Sequence, residues 1–290
     1  MNVAPALAAL MIFLSAVGVS AEPIRETDDT GQTLELHRPA ARIVSLAPNI
    51  TELLYWIGAG ERIVGADEYS NYPEAAKAIP RVNNHASANF ELILTLAPEV
   101  VLGWQSGNGE LPARARALGL PVFVIEPKRL EDIPQLFRRL GRLTGQDAQG
   151  AARAADFERR LTALRESQRG KAPVRVFYQI WNEPLITLND KHIVSDVIAL
   201  CGGRNVFGAA APLVPYVSIE SVLAEEPEVI VASGSAEGRP EWLDMWREWP
   251  AIPAVRDGLV FAIPPDLMQR HSARILEGAE LLCGFLDRAR

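Results

Sequence analysis

The sequence predicts an α/β fold: two similar lobes, each built on a parallel sheet, joined by one long helix. Three observations predict it. Short apolar segments of strand character alternate with helical ones, a single proline-free helical stretch sits at mid-chain, and the segments on either side of it repeat.

The first 21 residues carry no charged side chain. An apolar run from Ala6 to Leu14 is followed by small residues ending at Ala21. This is the pattern of a secretory signal peptide, with cleavage expected after Ala21 and a periplasmic destination. The run is shorter than the ~20 apolar residues of a membrane span. Residues 24–37 read as a hairpin turning at Gly31. Residues 42–46 form the first buried strand. A helix follows, with Asn49 as its capping residue and Glu52 three positions on, and it ends at Gly58. Further strands are predicted at 62–66, 99–103 and 121–126, with helices between.

Residues 146–168 hold no proline and one glycine, and predict one long helix whose apolar stripe is Ala155, Phe157, Leu161 and Leu164. Gly170 and Pro173 end it. Strands resume at 174–180, 229–233 and 259–263. The expected domains are therefore a lobe at 22–143, a connecting helix at 144–172 and a second lobe at 173–290. The repeat supports this division. Residues 90–102 (FELILTLAPEVVL) match 219–231 (IESVLAEEPEVIV) at a constant offset of 129, and 51–58 parallel 195–202.

The chain is acidic, with a formal charge of −7 and no basic block, which argues against nucleic acid. No nucleophile elbow, phosphate loop or H-E-x-x-H pattern is present, so no catalytic residue is assigned. The four histidines are scattered, and no metal site is expected. Cys201 and Cys283 are the only cysteines; in an exported chain they suggest one disulfide, two buried thiols being the alternative.

Two α/β lobes leave a cleft faced by strand C-termini, where open sheets bind ligands. The residues expected there are Tyr69, Tyr72, Trp104, Trp181, Asp266 and Arg270, with His85 in the loop after Tyr72. Aromatic faces with a few polar groups suit a large, partly apolar ligand. For Arg270 a local pairing with Asp266 is the alternative. Trp242, Trp246 and Trp249 fall at helical spacing and are expected to pack on their lobe.

The stretches 42–54, 69–73 (YSNYP), 104–108 (WQSGN), 200–207 (LCGGRNVF) and 263–270 (IPPDLMQR) resemble the periplasmic binding proteins joined by a single backbone helix, the cobalamin binders among them. The resemblance spans the chain after residue 21. Residues 42–54 and 200–207 recur in siderophore and haem binders; 69–73, 104–108 and the two cysteines are closer to the cobalamin group. It implies a class III binding protein, acting as a monomer, that carries a corrinoid to an ABC importer permease and needs no cofactor. It implies that Tyr69, Trp104 and Asp266 line the corrinoid cleft, that Cys201 and Cys283 pair, and that Glu91 and Glu220 dock on the permease. His85 and Val214 stand where that group has ligand-contacting tryptophans, and Leu267 replaces an aromatic. Trp181 is the candidate to compensate, and an iron chelate or haem is the alternative ligand.

Overall fold

The computed structural model describes residues 22–84, 87–233 and 239–290. The expected signal peptide and His85 lie outside the described residues. The chain opens with the hairpin β1 (Ile24–Thr27) and β2 (Thr33–Leu36), whose turn is organised by Asp28 accepting from the Thr30 and Gln32 amides at 2.9 and 3.0 Å. The first lobe follows: β3 (Ile43–Ser45), α1 (Pro48–Trp56), β4 (Ile63–Asp67), β5 (Arg81–Asn83), α2 (Phe90–Thr95), β6 (Val100–Trp104), α3 (Gln105–Asn108), α4 (Leu111–Ala117) and β7 (Val122–Ile125). Its five strands lie in the order β5-β4-β3-β6-β7, all parallel.

Two helices lead across: α5 (Asp132–Thr144) and α6 (Asp147–Ser167). The second lobe holds β8 (Val174–Gln179), β9 (Trp181–Asn182), β10 (Leu185–Ile186), α7 (Ile193–Leu200), β11 (Gly203–Asn205), α8 (Ile219–Glu225), β12 (Val229–Ala232), α9 (Pro253–Arg256), β13 (Val260–Ala262), α10 (Pro265–Met268) and α11 (Ile275–Asp287). Its parallel sheet has the order β11-β8-β12-β13. The edge strand β5 went unread in the sequence because it is three residues long and carries polar groups.

Strand periodicity sorts each sheet between two cores. In β7, Phe123 and Ile125 face one side while Val122 and Val124 face the other. In β12, Val229 and Val231 divide from Ile230 and Ala232 in the same way. The inner core is continuous across both lobes: it joins α1, α5, α6, α7 and α11 through Leu53, Phe137, Phe157, Ile198 and Leu282. The helix over 146–168 is therefore α6, and its buried stripe is Gly150, Ala154, Phe157 and Leu161, with Ala155 only half-buried. A Cβ on Gly150 would stand 2.4 Å from the Phe137 carbonyl oxygen, so only glycine lets α5 and α6 pack this closely. Trp246 is buried on its lobe and donates through Nε1 to Gln179 Oε1 at 2.8 Å.

The internal repeat is structural. Both α2 and α8 begin on a capping side chain, Asn89 and Ser218, and both are followed by a residue of positive φ, Ala97 at 42° and Glu226 at 43°. These two are the only non-glycine residues of positive φ among the described residues, and they stand at equivalent positions before Pro98 and Pro227.

One expectation is corrected. Asn49 does not cap α1; Ala47 holds that position without a side-chain bond, because Pro48 starts the helix. Glu52 is not part of a capping box either. It is fully buried and reaches the other lobe.

Cys201 and Cys283 form a disulfide that ties α7 to α11 across 82 residues. In the chain-entropy model, closing a loop of that size stabilises by about 4–5 kcal/mol. The C201S/C283S variant is expected to lose stability of that order in urea unfolding, with ligand binding retained wherever the variant remains folded.

Candidate functional site: the inter-lobe cleft

The loops at the strand C-termini face one another and enclose two hollows. The first, of about 410 Å³, is lined by residues following β3 (Leu46–Asn49), β4 (Asp67, Tyr69) and β6 (Trp104, Asn108), and by Asp266, Gln269 and Arg270 of the second lobe. The second, of about 570 Å³, lies between Glu126 and Lys128 after β7 and Lys191–Ile193, Leu213, Val214 and His271. Trp104 lines both and divides them.

Three of the expected residues come together here: Tyr69, half-exposed, Trp104 and Asp266 all line the first hollow. Asp67 joins them, a buried carboxylate accepting from Tyr69 N at 2.9 Å and Asn83 Nδ2 at 2.7 Å. Burial raises its pKa above the ordinary aspartate value. Asn108 holds the loop: it accepts from Trp104 N and donates to the Leu46 carbonyl, both at 2.7 Å. This fixes the tryptophan's backbone against the end of β3.

Arg270 plays a different part from the one expected. Its guanidinium meets Glu52 at 2.8 Å, Asn71 Oδ1 at 2.8 Å, the Tyr69 carbonyl at 3.1 Å and Asp266 at 3.0 Å. It touches the first hollow, yet most of its donors are engaged within the protein. The local pairing with Asp266 exists alongside a stronger inter-lobe one. Glu52 also accepts from Ser272 Oγ at 2.6 Å and Arg274 at 3.2 Å. Arg274 in turn sits 4.2 Å above the Tyr72 ring, so Tyr72 serves the clamp rather than the hollows.

Trp181 lines neither hollow. The chain reverses after β8 into the β9–β10 hairpin, where the exposed indole donates to the Glu183 carbonyl at 3.1 Å. Leu267 is buried in the inner core and Val214 is exposed at the second hollow.

Five cleft residues were missed: Asn49, Lys128, Lys191, His192 and His271. Asn49 is buried at the first hollow with neither amide atom hydrogen-bonded. Its reading as a cap hid it. His271 is wedged between Trp104 and His192, ring centroids 4.9 and 5.4 Å away. Neither of its ring nitrogens makes a hydrogen bond of ordinary geometry, nor does Trp104 Nε1. His192 accepts from Val194 N through Nδ1 at 3.2 Å, capping α7. Burial pushes the His192 pKa down to about 4 and, with the neighbouring imidazole, His271 to about 3. Both are neutral near pH 7. Among the described residues no three His, Cys, Asp or Glu side chains gather as a metal site.

Comparison with known proteins agrees with this geometry. The periplasmic binding protein family model matches residues 43–267. A vitamin B12-binding protein of Vibrio cholerae serotype O1 is 39% identical over 255 residues, covering 87% of this chain and 91% of that one. The crystal structure of the periplasmic vitamin B12-binding protein of Vibrio cholerae superposes with a TM-score of 0.80 at 38% identity, covering 87% of this chain and 98% of that chain. The apo periplasmic haem-binding protein of Roseiflexus superposes at 0.75 with 26% identity, covering 87% and 100%. The chain belongs to the periplasmic binding protein family, and its fold is that of the class III members.

The two imidazoles give stability a pH dependence of known sign. An unfolded chain protonates them near pH 6.5, whereas the fold resists protonation down to about 4 and 3. Unfolding therefore takes up protons, and stability falls as pH drops through 6.5. The raised Asp67 acts in the opposite direction, but only towards acid pH near its own range. The melting temperature is expected to decline between pH 7 and pH 5, with a shallower slope in His271→Phe.

Proposed function

We propose that this chain is the periplasmic carrier of an ABC importer, capturing cobalamin or a related corrinoid in the inter-lobe cleft and delivering it to the permease. Similarity to vitamin B12-binding proteins over nearly the whole chain supports the reading. The observation that carries it is the cleft itself: one tryptophan ring between two hollows, edged by Tyr69, Asp67, Asp266 and the unpaired Asn49 amide. A corrin is a broad apolar plate with an amide-bearing rim. The ring offers a stacking face, and the carboxylates and Asn49 offer partners for rim amides.

Capture needs no bond chemistry, and the protein acts as a carrier rather than an enzyme, working as a monomer after removal of residues 1–21. Glu91 and Glu220 support delivery. Each is exposed in the first turn of its helix, α2 or α8, at equivalent positions of the repeat. Two matched acids suit two matched basic sites on a dimeric membrane partner. Its own backbone amide, followed by the Ser218 hydroxyl, holds Glu220 below the usual glutamate pKa, and so ionised.

A haem or siderophore carrier is the second reading. The neutral His192–His271 pair beside the second hollow favours it, imidazole being a good ligand for iron.

Calorimetric titration of the mature protein with cyanocobalamin, haem and a ferric siderophore separates the readings. One-to-one saturation by cyanocobalamin is expected, and Trp104→Ala should weaken it by about 1–3 kcal/mol. Saturation by haem alone would reverse the assignment. Charge reversal at Glu91 or Glu220 is expected to leave this affinity unchanged and to lower uptake in reconstituted transport; loss of soluble binding in Glu91→Lys would contradict the docking role.

A further inference from the structure

The chain has four lysines. Lys77 pairs with Glu74, and Lys171 with Asp287, both on the surface. Lys128 and Lys191 have no ion-pair partner among the described residues, and both line the second hollow, one from each lobe. In a chain of net charge −7 with 36 acidic residues, two lysines that line one hollow and have no ion-pair partner among the described residues need a reason.

The local backbone turns both lysines to this place. Asp132 accepts from the backbone amide of Lys128, at 2.8 Å, and Asn189 from that of Lys191, at 2.9 Å. Each loop is pinned by its main chain while the ammonium stays uncommitted. Glu126 is the one acid in the lining, and its carboxylate accepts from Ser106 N at 3.0 Å. Apart from Ser106, the remaining wall is apolar or aromatic: Trp104, Pro127, Ile193, Leu213, Val214 and the two neutral imidazoles. The first hollow has the opposite character, with Asp67 and Asp266 and an arginine already neutralised by Glu52.

Taking the corrinoid reading as given, we infer that the second hollow is a subsite for an anionic, base-bearing appendage: Lys128 and Lys191 hold a phosphodiester from opposite lobes, and the ring-lined wall takes the attached base. In a complete corrinoid this is the lower nucleotide. The cleft is then polarised, with the amide-rich rim at the acidic hollow and the phosphate at the basic one. A ligand lying the other way would set phosphate against Asp67 and Asp266, so the charge pattern also fixes which way round the ligand lies.

The test compares cyanocobalamin with cobinamide, which lacks the nucleotide, on the wild-type protein and on K128A/K191A. Both lysines are exposed, so the fold is expected to survive, and K128R/K191R controls for charge. The wild type should bind cyanocobalamin more tightly than cobinamide. The alanine pair should lose about tenfold or more for cyanocobalamin, and the arginine pair should keep most of the affinity. Cobinamide affinity should stay within about twofold throughout. Raising salt should erode only the cyanocobalamin preference. If both corrinoids bind and the alanine pair leaves their ratio unchanged, the subsite is wrong and corrinoid capture stands. If neither binds the wild type, the corrinoid reading falls and the subsite with it.

Discussion

The cleft depends on one buried carboxylate. Glu52 rises from the first helix of one lobe, is wholly inaccessible to solvent, and is met by Arg270, Ser272 and Arg274 of the other. Burying an ion pair costs much of what its attraction returns, so such a bridge adds little net stability against an apolar substitute. What it adds is geometry. A carboxylate with this many partners in a dry site tolerates only one spacing of the lobes. The continuous inner core beneath it enforces the same restriction, since α5, α6, α7 and α11 pack as one body. A hinge would have to break both.

The chemistry of the cleft follows from that spacing. Arg270 reaches Asp266 while holding Glu52, so the clamp and a carboxylate lining the first hollow are oriented together. The Tyr69 carbonyl is bonded by the same guanidinium, which places the tyrosine ring at the mouth of the first hollow. Trp104 is held by Asn108 from behind and touched by His271 from the opposite lobe. The capture surface is thus set before a ligand arrives, and little ordering entropy is left for binding to overcome.

Much of the fold was legible because its signals are periodic. Apolar strands, the proline-free α6 and the repeat at a fixed offset survive without any knowledge of tertiary contacts. The repeat was stronger than it looked: the conformational strain at Ala97 and Glu226 recurs with it. The cleft was legible in part. Residues just beyond strand ends announce themselves, and Tyr69, Trp104 and Asp266, which line the first hollow, were read from that position. Glu52 and Asn49 were misread because their local sequence is also that of a helix start, and only the second lobe reveals what the carboxylate meets. Trp181 misled for the reverse reason: a strand end was visible, but the two-residue hairpin that turns it away was too short to read. His192 and His271 lie far apart in sequence and meet only through folding.

The Glu52 clamp fixes the lobes in the free protein, and capture is by fit to a preset cleft. The direct measurement is the inter-lobe distance distribution of the ligand-free protein, read by pulsed electron paramagnetic resonance from spin labels at the exposed positions Glu110 and Glu225. A single narrow distribution is predicted for the wild type, broadening when Glu52→Ala is introduced. A distribution already broad in the wild type, or one equally narrow without the carboxylate, would contradict it.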